Sequence, residues 1–300
     1  MRIVVFGAGS LGCGLGGLLA KRHDVVLIGR KENTDAVREQ GLRLEGEVEA
    51  KVGLDARETI DGLSQPDLVV LTTKAYQTKA AVDALSAAPW PDTLAVTLQN
   101  GLGNLEVLRG WKGAKAFGAT TTMGATLVSP GNVRLSGLGR TVVGADLDEG
   151  GARRIAEAFS ACGLKVDVRR DIAGEIWAKA VVNCCINPLT AILRVTNGRL
   201  LESAPVSRLM SDICIECSAV ALAACVALPE GRMIDRVRAV AEDTAGNRSS
   251  MLRDVELGRR TEIAQLNGAV CRVGSAHGIP TPLNRAVAAM VEALEPATVQ

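Results

Sequence analysis

Arg2-Ile3-Val4-Val5-Phe6-Gly7-Ala8-Gly9-Ser10-Leu11-Gly12 decides the fold of this 300-residue chain. Ile3 to Phe6 is a short apolar run of the kind that forms a strand buried on both faces, and the segment from Leu11 through Leu19-Ala20 reads as the helix after it. Between them stands G-x-G-x-x-G. Gly7 admits the tight turn, Gly9 lets backbone approach a pyrophosphate, and Gly12 lets helix and strand pack closely, with the phosphates at the helix amino terminus. Three such glycines alone could mark any tight turn. Set between a strand and a helix, they predict a dinucleotide-binding loop in which Gly7, Ala8, Gly9, Ser10, Leu11 and Gly12 meet the cofactor.

Val25-Val26-Leu27-Ile28 follows as a second strand, ending in Gly29-Arg30-Lys31 about twenty residues past the glycines. A free ribose 2′-hydroxyl favours an acid there, whereas a 2′-phosphate favours guanidinium and ammonium. Arg30 and Lys31 thus predict NADPH; Glu32 and Asp24 are the residues that would speak for NADH. Asp67 to Thr73 is a buried strand delivering Lys74, Tyr76 and Gln77, and Thr93 to Leu98 delivers Gln99, Asn100 and Gly101. Ligands of open parallel sheets sit beyond the strand carboxyl ends, so Lys74, Gln77 and Asn100 are candidates for touching cofactor or substrate, with exposed loop positions as the alternative. The alternation in Leu42 to Val52 predicts a solvent-facing antiparallel hairpin without chemistry. Ala116 to Ala125, Asn132 to Leu135 and Thr141 to Val143 are expected to close the sheet. A helix from Ala152 to Ala161 and a strand from Leu164 to Val168 end this half.

After Arg169-Arg170-Asp171 the pattern turns wholly helical. The expectation is an α/β protein: residues 1–170 a Rossmann-type doubly wound sheet, residues 171–300 an all-helical domain. The second half opens on Lys179-Ala-Val-Val-Asn183-Cys-Cys-Ile-Asn187-Pro188. Four-residue steps drift only about 40° around a helix, so Lys179, Asn183 and Asn187 form one polar stripe on an apolar rod. Lys and Asn are costly to bury unless paired, so the stripe either faces a cleft, where it could bind and protonate a small polar substrate, or marks a partly exposed helix end. Pro188 is expected to stop this helix. Ala204 to Leu228 reads as one long helix, and Ser249-Ser250 as capping hydroxyls. Arg259 to Asn267 leads a further helix with Glu262 near its amino end, where the helix dipole favours a carboxylate with or without catalysis.

Composition narrows the partners. With 34 basic and 33 acidic residues the net charge is +1, and only 2% of residues are aromatic, which leaves no footprint or stacking platform for nucleic acid. Ser218 to Leu228, the longest apolar run, is about half of what spans a bilayer, and the start of the chain lacks signal-peptide character; a cytoplasmic protein without a membrane partner is expected. Eight scattered cysteines, including Cys184, Cys185 and Cys225 in apolar helical contexts, are expected to be reduced and buried. Cys214-x-x-Cys217 lacks further ligands and reads as packing, so no metal is assigned. His23 and His277 carry no assigned role.

Five motifs run through essentially the whole chain: Gly7-x-Gly9-x-x-Gly12; Leu71-Thr-Thr-Lys74-Ala-Tyr-Gln77; Gln99-Asn100-Gly101; Lys179-x3-Asn183-x3-Asn187-Pro188-Leu189-Thr190; and Ser249-Ser250-Met251-Leu252-x-Asp254 with Arg260-Thr261-Glu262-Ile263. Together they resemble the ketopantoate reductase (2-dehydropantoate 2-reductase) family. The resemblance implies an active site in the cleft between the two domains, with Lys179 as catalytic lysine and Glu262 as active-site glutamate. It further implies that Asn183, Asn187 and Ser250 bind substrate, that Asn100 lies at the nicotinamide end beside the substrate, and that Arg30 holds the 2′-phosphate. The implied reaction is NADPH-dependent reduction of 2-dehydropantoate to pantoate in pantothenate biosynthesis, with Lys179 protonating the oxygen as hydride reaches the 2-keto carbon. Reduction of another 2-oxo acid is the alternative, and a non-catalytic dinucleotide sensor a more distant one, since a sensor has no use for the Lys/Asn/Glu set. The expected partner is a small-molecule 2-oxo acid; a homodimer is left open.

Overall fold

Ile3 and Val5 lie in one apolar layer and Val4 in another, so the first strand, β1 (Arg2–Phe6), is closed to solvent on both faces. The computed structural model describes residues 1–296 and divides the chain into two units: Met1–Gln99 with Asn104–Ile172, and Asn100–Gly103 with the chain from Ala173 onward.

In the first unit β1 is followed by α1 (Ser10–Leu19), β2 (Asp24–Ile28), α2 (Lys31–Gln40), β3 (Leu42–Gly46), β4 (Ala50–Val52) and β5 (Asp55–Arg57). Then come β6 (Leu68–Leu71), α3 (Thr78–Ser86), β7 (Thr93–Thr97), α4 (Asn104–Arg109), β8 (Ala114–Thr121), β9 (Gly124–Ser129) and β10 (Asn132–Gly137). β11 (Arg140–Gly144), α5 (Glu149–Ser160) and β12 (Lys165–Arg169) complete it. Eight strands form the main sheet in the order β12-β11-β8-β7-β6-β1-β2-β5. All neighbouring pairs are parallel except β8 with β11. The strand order reverses at β1, so the glycine loop leaves the sheet at its topological switch point, where doubly wound sheets bind ligands.

The segments expected to close this sheet do so only in part. β9 and β10 leave it and join β3 and β4 in a separate four-stranded sheet, β4-β3-β10-β9. The expected hairpin is present, yet Leu42 and Leu44 are fully buried rather than solvent-facing, because β3 pairs with β10 and packs on α1. Glycines in α1 allow this. A Cβ on Gly16 would stand 2.7 Å from Leu27 of the main sheet, and one on Gly17 2.7 Å from Leu44 of the second, so the helix is pressed between both layers. Each interior glycine costs a helix about 0.5–1 kcal/mol, which this close approach offsets.

The second unit holds α6 (Ala173–Leu193), α7 (Arg199–Glu202), α8 (Ala204–Ala223), α9 (Met233–Asp243), α10 (Ser250–Glu256), α11 (Asn267–Ala276) and α12 (Pro282–Glu292). α6 is its axis. By length and apolarity α6 could cross a membrane, but a buried core helix can have the same composition, and 72% of its apolar window is buried. Four expectations fail here. Pro188 does not stop α6, which runs on to Leu193 because the carbonyl that proline deprives of a donor is served by a side chain from α11. α8 ends at Ala223 rather than Leu228, since Cys225 takes a left-handed conformation (φ 57°); that cysteine is exposed, not buried. Arg259 to Glu262 is not helical, and Glu262 instead precedes a single 3-10 turn, Ile263–Gln265. Cys214 and Cys217 are buried in the α8 face that belongs to the core shared with α6.

Candidate active site

Lys179, Asn183 and Asn187 share a stripe of α6, as their spacing requires, and their burial is graded. Lys179 and Asn183 are half-buried, and Asn187 is buried. Burial lowers the pKa of Lys179 to about 8, while the Glu262 carboxylate pulls it the other way. Glu262 is itself buried, and its Oε2 accepts from Asn100 Nδ2 at 3.3 Å. Lys179, Glu262 and Asn100 are therefore brought together. Asn100–Gly103 belongs to this unit: Leu102 N–H donates to the Gln265 carbonyl at 2.9 Å, and Gly101 (φ 87°) leaves no room for a Cβ, which would lie 2.5 Å from that oxygen.

Ser250 is the first residue of α10 and is exposed. The capping hydroxyl is that of Ser249, which accepts from Leu252 N–H at 3.1 Å. Ser249 is also hydrogen-bonded to Thr190 on α6 (2.7 Å), and Thr190 to the Asn187 carbonyl (2.8 Å). Ser249, the neighbour of Ser250, is thus tied to the Asn187 end of the stripe, while Glu262 acts on the Lys179 end. One ammonium of lowered pKa, one carboxylate, three amides and a hydroxyl suit a small oxygen-rich anion whose oxygen gains a proton.

The other set of candidates belongs to the first unit. Gly7 (φ 126°) turns so tightly after β1 that a Cβ would lie 2.4 Å from Thr73 N, and a Cβ on Gly12 would lie 1.9 Å from the Gly7 oxygen. Gly9 is exposed with nothing within 4 Å of where its Cβ would be, leaving a cradle open to a ligand. No side chain caps α1, so the N–H groups of Ser10, Leu11 and Gly12 lack intrahelical acceptors and suit a pyrophosphate. Ser10's hydroxyl is otherwise engaged, accepting from Leu127 N–H at 3.0 Å. Arg30 is exposed as the N-cap residue of α2, whereas Lys31, read from sequence as its companion, pairs with Asp35 at 3.0 Å. Asp24 stands at the far, amino-terminal end of β2, paired with Arg2 at 3.3 Å. Lys74 precedes the 3-10 turn Ala75–Gln77, and Gln77 is exposed at its end.

Two residues brace these loops, Asn33, which no sequence pattern marks, and Gln99, known from sequence only as a strand-end motif residue. Asn33, 7% exposed, donates to the Ala8 carbonyl (2.8 Å) and accepts from Gly131 N–H (2.8 Å), fixing the glycine loop from behind. Gln99 donates to the Thr73 carbonyl at 3.0 Å and lies 2.9 Å from Thr78 Oγ1, joining the loops after β6 and β7. Gly12→Ala is expected to weaken dinucleotide binding at least tenfold, or about 1.4 kcal/mol, because the Gly7 carbonyl must move; a titration of coenzyme fluorescence giving the parent's Kd would show that the loop yields without consequence.

Residues 3–147 match the family model described as ketopantoate reductase PanE/ApbA, and residues 171–295 match its C-terminal counterpart. The chain belongs to the ketopantoate reductase family. Members similar to it include the 2-dehydropantoate 2-reductases of Pyrococcus horikoshii (36% identical, 98% of each chain covered) and Halobacterium salinarum (38% identical, 97% of this chain and 98% of that one). Among solved structures, a PanE/ApbA family ketopantoate reductase from Ralstonia eutropha superimposes with a TM-score of 0.92 at 34% identity, covering 98% of both chains. A D-mandelate dehydrogenase in ternary complex with NADH and anilino(oxo)acetate does so with a TM-score of 0.91 at 28% identity, again over 98% of both chains. The family thus carries oxidoreductases on this α/β-plus-helical fold.

Proposed function

We propose that this chain reduces 2-dehydropantoate to pantoate with NADPH, in the cytoplasm, as a step of pantothenate biosynthesis. One observation carries the reading: a lysine drawn down to about 8 stands with a buried carboxylate that an amide holds, on a helix whose next two turns carry two more amides, in a chain that both family models match. A bound nicotinamide dinucleotide would supply the hydride that the keto carbon takes up. Lys179 polarises the carbonyl and gives its proton to that oxygen, so the alkoxide never stands unprotonated and the amine is left neutral. Glu262 opposes the loss of the lysine's charge and is itself oriented by Asn100. Asn183 and Asn187 hold the substrate's remaining polar groups, and Ser250 its carboxylate. For the cofactor, the glycine loop and α1 amino terminus would hold the pyrophosphate, Arg30 the 2′-phosphate, and Lys74 and Gln77 the edge beyond β6. Eight free thiols support a reducing compartment.

The second reading, reduction of a different 2-oxo acid, is favoured by the likeness to D-mandelate dehydrogenase. Substrate-dependent oxidation of NADPH across ketopantoate and close 2-oxo acids separates them: the highest kcat/KM for ketopantoate is expected, and a better aryl substrate would overturn the assignment. Ser250→Ala is expected to raise the substrate KM about five- to fifteenfold with little change in kcat, as loss of one hydrogen bond to a charged group predicts. An unchanged KM would remove Ser250 from the site.

A further inference from the structure

An interior proline leaves one helical carbonyl without a donor, and in α6 that carbonyl belongs to the turn between Asn183 and Asn187. Pro188 offers no N–H to Cys184, the residue directly after Asn183, and Asn187 directly precedes Pro188. The gap falls between two stripe residues. The Cys184 oxygen accepts instead from Nδ2 of Asn267, the first residue of α11, at 3.1 Å. The same Nδ2 donates to Asn284 Oδ1 at 2.9 Å, and the Cys217 thiol donates to that oxygen at 3.3 Å. Asn284 Nδ2 in turn donates to Glu216 Oε2 at 2.8 Å. Glu216 also accepts from the backbone N–H groups of Leu283 and Asn284 at 2.9 and 3.0 Å, at the amino terminus of α12.

A carboxylate on α8 is thereby linked through two amides on α12 and α11 to one backbone oxygen of α6. Asn267 and Asn284 have no solvent exposure, and an amide in such a place is costly unless bonded. Both groups facing Asn267 Nδ2 are acceptors, which fixes the orientation of the amide, while its Oδ1 has no partner among the described residues. Asn267 therefore serves as a donor and as nothing else. Apolar side chains could pack these helices as well; only a donor fills the gap left by proline.

We propose that Asn267, anchored through Asn284 to Glu216, is a positioning residue of the reductase: by holding the Cys184 carbonyl at the proline gap it sets where Asn187 stands relative to Lys179 and Asn183. The inference rests on the reductase reading above. It differs from a repair of stability, because it ties the gap to substrate geometry. Asn267→Ala is expected to leave NADPH affinity, read by coenzyme fluorescence, within about twofold of the parent while raising the 2-oxo acid KM about tenfold. The alkaline limb of its kcat/KM profile should move upward from about pH 8, as Lys179 regains water. Adding Pro188→Ala returns the missing N–H, so the double variant should recover the parent's melting temperature but not its KM.

Recovery of KM together with stability would show that Asn267 merely repairs the helix, and so would an unchanged KM and pH limb in Asn267→Ala. If that variant does not fold, Glu216→Gln decides from the far end of the relay: a smaller rise in KM in the same direction supports the inference, and none overturns it. A parent inactive on every 2-oxo acid sinks the reductase reading and this inference with it. An active parent beside an unaffected Asn267→Ala sinks this inference alone.

Discussion

Lys179→Ala is expected to lower kcat by about 10²–10⁴-fold, the usual contribution of a positioned general acid, while NADPH affinity stays within about twofold of the parent. The split follows from placement. Lys179 sits on α6 with Asn183 and Asn187 and is held by Glu262, whereas the residues suited to the dinucleotide belong to the glycine loop and the turn after β2. Lys179→Arg tests whether charge or proton matters: a guanidinium keeps the charge but holds its proton above about pH 12, so its kcat should fall nearly as far as that of the alanine variant. In the parent, turnover should decline as pH rises through about 8, where the amine loses the proton it must donate. Steady-state NADPH oxidation between pH 6 and 10 measures all three, and near-normal turnover by Lys179→Ala would assign the proton to another group.

The same lowered pKa has a stability consequence with the opposite sense to an ordinary ion pair. An unfolded lysine titrates near about 10.4 and folded Lys179 near about 8. Below pH 8 both states hold the proton, and the cost of burying the charge is fully present. Between the two values the unfolded chain binds more protons, so stability rises with pH; above both, the cost is gone. At about 1.4 kcal/mol per pH unit that gap sets an upper limit near 3 kcal/mol, and the lysine's residual solvent contact argues for roughly 1–3. Lys179→Met should therefore stabilise the fold against urea at pH 7 and barely at pH 11, the mark of a side chain kept for chemistry at a cost in stability.

What could be read from sequence was what local period dictates. The β1–glycine–α1 unit is legible because strand, turn and helix signals lie within about twenty residues, and the Lys179 stripe because four-residue steps return to one helix face. Pro188 misled for a distant reason: the donor that tolerates it, Asn267, lies 79 positions downstream (267 − 188), beyond any local rule. The second sheet was missed likewise, since β3 reads as a free hairpin until β10 pairs beside it from some ninety residues away. Glu262 was legible by motif but not by period, which placed it at a helix start rather than before a 3-10 turn. Asn33 and Gln99 act through backbone atoms of other loops, and side-chain-to-backbone bonds at long range leave no periodic trace.

Arg30→Ala is expected to reduce the preference for NADPH over NADH by about one to three decades, almost wholly through the NADPH KM. Two cations and one acid follow β2 and a second acid, Asp24, opens it, and the structure thins them. Lys31 is engaged with Asp35, Asp24 lies at the opposite end of the strand, and Glu32 is exposed in the first turn of α2. Arg30 has no ion pair among the described residues and stands at the strand's carboxyl end, where a dinucleotide's adenosine ribose lies in doubly wound sheets. Bonds from a guanidinium to a phosphate contribute about 1.5–3 kcal/mol each, and two parallel ones set the upper decade. Exposure and screening pull towards the lower one, so the preference should also shrink as ionic strength rises from about 0.01 to 0.5 M. Lys31→Ala should change the ratio little. kcat/KM for both cofactors in parent and variants, at two salt concentrations, provides the measurement. Equal use of NADPH and NADH by the parent would remove the 2′-phosphate from the reading of Arg30, and a large effect at Lys31 instead would mean that its pairing with Asp35 opens when the phosphate arrives.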